Sequence, residues 1–142
     1  MKNTIVIFLM LVVVGFHAKS QNMDLTDLKW KNRIVVVKYN NPIEVKNAEQ
    51  TQLFLKNDQE NKDRDLLIFS IDPEKAYMGE QKTSQKPEQF WEQLHLKQDF
   101  EGVILIGKDG GIKLKKEFLV QPEEVYALID TMPMRKREMD NN

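Results

Sequence analysis

The chain has 142 residues, with 21 Lys or Arg against 22 Asp or Glu and a formal net charge of −1. That balance supplies no basic stripe for nucleic acid and no general attraction to anionic membranes. Cysteine is absent, which removes disulfides and thiol catalysis and leaves packing alone to hold the fold.

The first segment has the pattern of a targeting signal. MKNT, with Lys2 as its one charge, precedes the apolar run IVIFLMLVVVGF from Ile5 to Phe16 and then HAKSQ. A basic start, an apolar core and a small-residue exit are the three parts of a secretory signal. Ala18 and Ser20 supply the small side chains, so residues 1–20 are expected to be a signal peptide cut between Ser20 and Gln21. An uncleaved anchor is the competing reading, but the run falls short of the roughly 20 apolar residues that cross a bilayer. No cysteine stands at the cut to carry a lipid anchor. The expectation is export to the periplasm or extracellular space, with no membrane attachment after cleavage and residues 21–142 as one domain. Loss of Lys2 and Lys19 from the 21 basic residues leaves 19 against 22, a net −3.

After the cut, Leu25, Leu28 and Trp30 in MDLTDLKW suit a short helical turn. RIVVVKY, Arg33 to Tyr39, is β-branched and almost continuously apolar, as in a central strand buried on both faces. Asn47 with Gln50 has the form of a capping box, which predicts a helix from Ala48 to about Asn61. DLLIFSI, Asp65 to Ile71, is a second buried strand, stopped at Asp72-Pro73. EKAYMGEQKTSQK has no apolar period and reads as a surface loop with some helical turn. Pro87 opens a helix in PEQFWEQLHLK, with Phe90, Trp91 and Leu94 on one face. FEGVILIG and IKLKKEF are two further strands. Pro122 opens the last helix, where Val125, Leu128, Ile129 and Met132 fall at i, i+3, i+4, i+7. Pro133 should end or kink it at Met132, and the tail RKREMDNN reads as loose.

The predicted order is β-α-β-α-β-β-α. Crossover helices make parallel pairs and the final hairpin an antiparallel one, so the fold class is α/β. A mixed four-stranded central sheet with helices on both faces, the thioredoxin-like arrangement, is expected.

Between the last two strands stands IGKDGGIKLK, Ile106 to Lys115. A phosphate loop needs a Gly-Lys-Ser/Thr leading into a helix, whereas here Gly111 leads into a strand. Asp-Gly between apolar β runs is a hairpin signal, with Asp109 and Gly110 as the turn and Gly111 as a bulge or close approach. Thioredoxin-type redox chemistry needs a Cys-x-x-Cys after the first strand, where this chain has YNNPIEV. The proline that thioredoxins carry before the third strand is also missing, QDFEG standing in its place. Beyond the signal only His95 remains as a histidine, beside Trp91 and Leu94. It would have to serve any triad with Ser70 or Ser84, and a half-buried packing role is expected instead. One histidine and no cysteine give no zinc site, and Asp58, Glu60, Asp63 and Asp65 do not have calcium-loop spacing. Neither a metal nor another cofactor is implied.

What remains are charges at element ends: Arg33, Arg64 and Asp65 at strand starts, Lys108 and Asp109 at the end of the third. A parallel sheet would bring Arg33 beside Arg64-Asp65 at the edge opposite the strand carboxyl ends, where ligands usually bind. A structural ion-pair network is the expected role, and binding the alternative. Lys113 should face solvent. Met134, Arg135 and Arg137 form a candidate partner surface, although cations near a helix end are commonly dipole partners.

LKWKNRIVVV, RDLLIF, LIGKDGGIK and IDTMPMRKREM, in that order, closely resemble the domain-of-unknown-function family DUF4174. The resemblance covers essentially the whole mature chain. It implies a thioredoxin-like fold outside the cytoplasm and no established activity. Its motifs single out Trp30, Arg33, Arg64, Asp65, Lys108, Asp109, Gly110, Gly111 and Lys113. In the last block they single out Asp130, Met132, Pro133, Met134, Arg135 and Glu138. The expectation is an exported, non-catalytic module that binds a protein or an envelope component. The alternative is a non-redox enzyme using an Arg/Lys/Asp cluster.

Overall fold

The computed structural model describes residues 24–41 and 44–141. The expected signal peptide and its cut between Ser20 and Gln21 lie outside the described residues. A 3-10 turn, Leu25–Leu28, capped by Asp24, leads into β1, Arg33–Lys38, every residue of which is buried. Then follow α1 (Val45–Leu55), α2 (Asp58–Asp63), β2 (Leu66–Ile71), β3 (Ala76–Met78), β4 (Gln81–Lys82), α3 (Pro87–Leu94), β5 (Gly102–Ile106), β6 (Ile112–Lys116), α4 (Pro122–Thr131) and α5 (Pro133–Asp140).

The strands form one mixed sheet in the order β4-β3-β2-β1-β5-β6. β1 and β2 run parallel through the α1–α2 crossover, and every other pair is antiparallel. The strand period of two divides the apolar residues between two cores. Val35, Val37, Val103 and Leu105 pack with Phe54 of α1 and Val125 and Ile129 of α4 on one face. Ile34, Val36, Ile104 and Ile106 pack with Leu28 and with Phe90 and Leu94 of α3 on the other. The α/β class and the helices on both faces are as expected.

Several expectations need correction. The sheet has six strands rather than four, because the expected surface loop after Pro73 folds back along β2: Met78 lies opposite Phe69, and Gln81 opposite Met78. Strands of three and two residues at a solvent-facing edge are too short and polar to show a period. α1 begins at Val45, not Ala48, so Asn47 lies inside its first turn and caps nothing; its buried side-chain amide donates to the Asn41 carbonyl. Gln50 is likewise not half of a capping box. It is fully buried and exchanges two hydrogen bonds with the Val120 backbone, at 2.7 and 2.8 Å. The helix then breaks at Lys56-Asn57, where Asn57 and Asn61 donate to the Leu53 and Phe54 carbonyls. Such side-chain bonds compete with helix continuation.

His95 is exposed rather than half-buried, because it terminates α3 in the left-handed region at φ 50°. The tail is not loose either. Met132 is extended at ψ 140°, as the residue before a proline tends to be, and Pro133 opens α5.

Candidate functional site

Topology gathers the charges. β1 and β2 start at the same edge, so Arg33 stands beside Arg64 and Asp65, its N–H donating to the Asp65 carbonyl at 2.9 Å. β5 runs antiparallel to β1, and its carboxyl end brings Lys108 to that edge. The Arg33 side chain is only 1% exposed; Nη1 donates to the Arg64 carbonyl at 2.9 Å, and Nη1 and Nη2 donate to Glu138 at 3.0 and 3.3 Å. Lys108 Nζ donates to Asp65 and to Glu138, both at 2.7 Å. Arg64 grips Asp130 with Nε and Nη2, at 3.1 and 2.6 Å, and donates to Glu60 at 2.7 Å across the ring of Tyr126. Arg135, 4% exposed, donates to Asp130 at 3.1 Å, to the Asp63 carbonyl at 2.7 Å and to the Asp63 carboxylate.

These bonds explain how a polar helix docks. α5, PMRKREMD, has Arg135 as its one buried residue, and its hold on the sheet edge runs through Arg135 and Glu138. Burial would push the Glu138 carboxyl up, but hydrogen bonds from Arg33 and Lys108 outweigh it and hold the group below its usual range. At Asp130 burial is opposed in the same way by Arg64 and Arg135, and the carboxyl is again held low. Arg64 is desolvated yet held above its ordinary value by Asp130 and Glu60.

Arg33, Arg64, Asp65 and Lys108 thus meet in one network, and Asp109 does not join it. Its carboxylate turns to Lys113 at 2.7 Å and to the Gly111 N–H at 3.0 Å, and Lys113 holds it below the usual range. The hairpin turn is centred one residue earlier than expected, on Lys108 and Asp109. Gly110 N–H bonds the Gly107 carbonyl, and Gly110 takes the left-handed φ of 81° that closes a three-residue loop. The register shift falls opposite Leu105 and Ile106, after Gly111.

Within the expected partner surface Met134 is half-buried, Arg137 exposed and Arg135 buried in the network. Arg135 therefore cannot present its charge to a partner. Asp130 and Glu138 are network members that charge at strand ends alone would not reveal, although the family motifs contain both. The 3-residue spacing of Arg135 and Glu138, which places them on one helix face, is a local signal for them.

Beside the network lies a groove of about 450 Å³ lined by Trp30, Gly107, Met132, Pro133 and Met134 together with the charged residues Arg33, Lys108, Asp109 and Lys113. Trp30 is 61% exposed and holds φ at 67°, with its N–H fixed on the Lys108 carbonyl at 2.6 Å. A bulky residue in that region is strained by roughly 1–3 kcal/mol, and such residues cluster at binding sites. Arg33 Nε is buried without a hydrogen-bond partner.

At the opposite edge, where a thioredoxin would carry its thiols, Lys38 closes β1. Its side chain is 1% exposed, and Nζ donates to Asn40 at 2.8 Å and to the Gln98 and Phe100 carbonyls at 2.6 Å, over the Trp91 ring. All three ammonium protons are therefore engaged, and burial pushes its pKa down. The lysine ties the strand end to the loop before β5.

Among the described residues no helix is long and apolar enough to cross a membrane. Comparison with solved structures finds the reduced 2-Cys peroxiredoxin of Plasmodium vivax. It is 10% identical, with a TM-score of 0.53, over 81% of this chain and 85% of that one. At that identity the likeness concerns the fold, which is thioredoxin-like, and the present chain lacks any thiol. No curated protein sequence matches. Residues 24–138, which hold the whole charge network and the groove, match the domain of unknown function DUF4174. The chain belongs to the DUF4174 family.

Proposed function

We propose that this domain is an exported, non-catalytic thioredoxin-like module that docks a protein of the envelope or extracellular space in the groove beside Trp30. The observation that carries this reading is Trp30 itself. An indole left 61% exposed, on a backbone held at φ 67°, lines one groove with Met132, Pro133 and Met134. Exposed aromatics and methionines beside a groove are typical anchors for a polypeptide partner.

The alternative, a non-redox enzyme built on Arg33, Asp65 and Lys108, is disfavoured by their pairing. Lys108 donates to Asp65 and Glu138, and Arg33 to Glu138 and the Arg64 carbonyl. A general base or nucleophile must reach substrate with an uncommitted lone pair; Arg33 and Lys108, as cations paired with carboxylates, offer none, which leaves Asp65 with no second group to complete an acid–base pair.

The test is affinity capture from an envelope extract of the native host, followed by binding of the captured protein in purified form. The wild type is compared with Trp30→Ala and with Arg137→Glu, an exposed cation off the groove. The reading expects one enriched protein whose affinity falls at least tenfold with Trp30→Ala and little with Arg137→Glu. Equal retention on wild type and Trp30→Ala would sink it.

A further inference from the structure

We infer that the groove takes the free carboxyl end of a polypeptide: the carboxylate on Lys108 and Arg33, the last apolar side chain against Trp30, Met132 and Met134. This rests on the docking reading above and specifies its ligand.

Three observations carry it. Donors of Arg33 and Lys108, which line the groove, are not all used. Lys108 spends two of its three ammonium protons on Asp65 and Glu138, and the Nε–H of Arg33, a residue 99% buried, has no acceptor. The Glu138 side chain already shows what the site holds. One carboxylate accepts from Arg33 Nη1, Arg33 Nη2 and Lys108 at 3.0, 3.3 and 2.7 Å, and it is itself 26% exposed. A forked guanidinium beside an ammonium is the donor set that recognises carboxylates. An incoming carboxylate therefore meets Lys108 first and competes with Glu138 for Arg33.

Asp109 separates a peptide from a simple fatty acid. It lines the same groove and is 43% exposed. A carboxylate has about four acceptor sites, and those beyond Lys113 and Gly111 suit the N–H groups of a peptide. An acyl chain has nothing to offer them.

The probe is a pool of N-acetylated hexapeptides ending in Val, Leu, Met or Phe, titrated into the purified protein and followed by the heat of binding, which Trp30→Ala leaves readable. Matched C-terminal amides and decanoate are run beside it. The free-acid pool should give a saturable change that disappears in Trp30→Ala, and the amides should bind at least tenfold more weakly. Glu138→Gln, which removes the competing carboxylate, should strengthen free-acid binding severalfold. A merely structural role for Glu138 would not produce that gain. Equal binding of acids and amides, binding of decanoate alone, or no gain in Glu138→Gln under conditions where its α5 amides stay protected from exchange would overturn the inference. No response to the pool would do so as well. Should the pool fail while a captured protein still depends on Trp30, the docking reading stands and only the terminal-carboxylate ligand falls.

Discussion

Replacing Glu138 by Gln removes one charge at nearly constant shape and leaves Arg33, 1% exposed, without its anionic partner. Hydrogen bonds to charged groups contribute about 1.5–3 kcal/mol each, and removing one partner of a buried ion pair costs about 3–5 kcal/mol. Glu138 is 26% exposed and makes three such contacts, of which a Gln carbonyl in the Oε1 position can keep two as neutral-acceptor bonds and the amide N–H2 forfeits the third. Solvent also reaches this partly exposed site, so the loss should lie below the buried-pair figure, at about 2 kcal/mol. In urea unfolding, with a slope of about 1–3 kcal/mol/M for small proteins, the midpoint should fall by about 1 M. Hydrogen exchange should localise the change, with α5 amides losing protection before those of β1 and β5. Acid supplies a second readout. The Glu138 carboxyl is held below its ordinary pKa of 4.5 in the fold by Arg33 and Lys108, so the unfolded chain takes up the proton first. Its contribution is full above about pH 4.5 and is lost as pH falls through the folded value. The stability gap between wild type and variant should therefore close in that range. A gap under about 0.5 kcal/mol at neutral pH, the size of an ordinary surface change, or one that persists undiminished into acid, would refute the ionic docking of α5.

Arg135→Ala should cost about 2 kcal/mol, because it strips Asp130, the Asp63 carboxylate and the Asp63 carbonyl of a buried donor. Arg137→Ala, on the exposed side, should stay within about 0.5 kcal/mol by the same unfolding measurement. Lys38→Met leaves the Gln98 and Phe100 carbonyls and Asn40 without their donor. A loss of about 2 kcal/mol, with faster exchange in the loop before β5, is expected; unchanged thermal stability would contradict its role as a tie. Burial pushes the Tyr126 phenol up to about 12. Between pH 10 and that value the unfolded chain releases a proton that the folded chain keeps, so stability should fall as pH rises. Following phenolate absorbance against unfolding should show Tyr126 ionising with loss of structure; free titration near 10 would exclude its burial.

The strongest elements were legible because their pattern is local. The apolar runs of β1, β2 and β5 and the i, i+3, i+4 face of α4 needed no tertiary information to be read. α5 was not, since PMRKREMD has no apolar period and its docking depends on acids and bases distant in sequence, Glu138 with Arg33 and Arg135 with Asp63. β3 and β4 were hidden by brevity. Asn47 and Gln50 have capping-box spacing, yet tertiary packing turned both inward to backbone carbonyls. The hairpin slipped by one residue because Gly110 and Gly111 are adjacent, and either can supply the turn's special geometry. Of the candidate site, the meeting of Arg33, Arg64 and Asp65 followed from parallel pairing alone. The groove did not, because it is walled by the segments after the 3-10 turn, after β5 and between α4 and α5. A sequence places these apart, and only the closed sheet edge makes them neighbours.

The most direct measurement is site-specific photo-crosslinking in the native host, with a photoactivatable residue at Trp30 or at Val45. Val45 is 81% exposed at the start of α1, after the carboxyl end of β1, and so lies at the opposite edge of the sheet from the groove. A discrete protein adduct from position 30 and none from position 45 is predicted. Adducts of equal yield from both positions, or from position 45 alone, would contradict the groove as the docking surface.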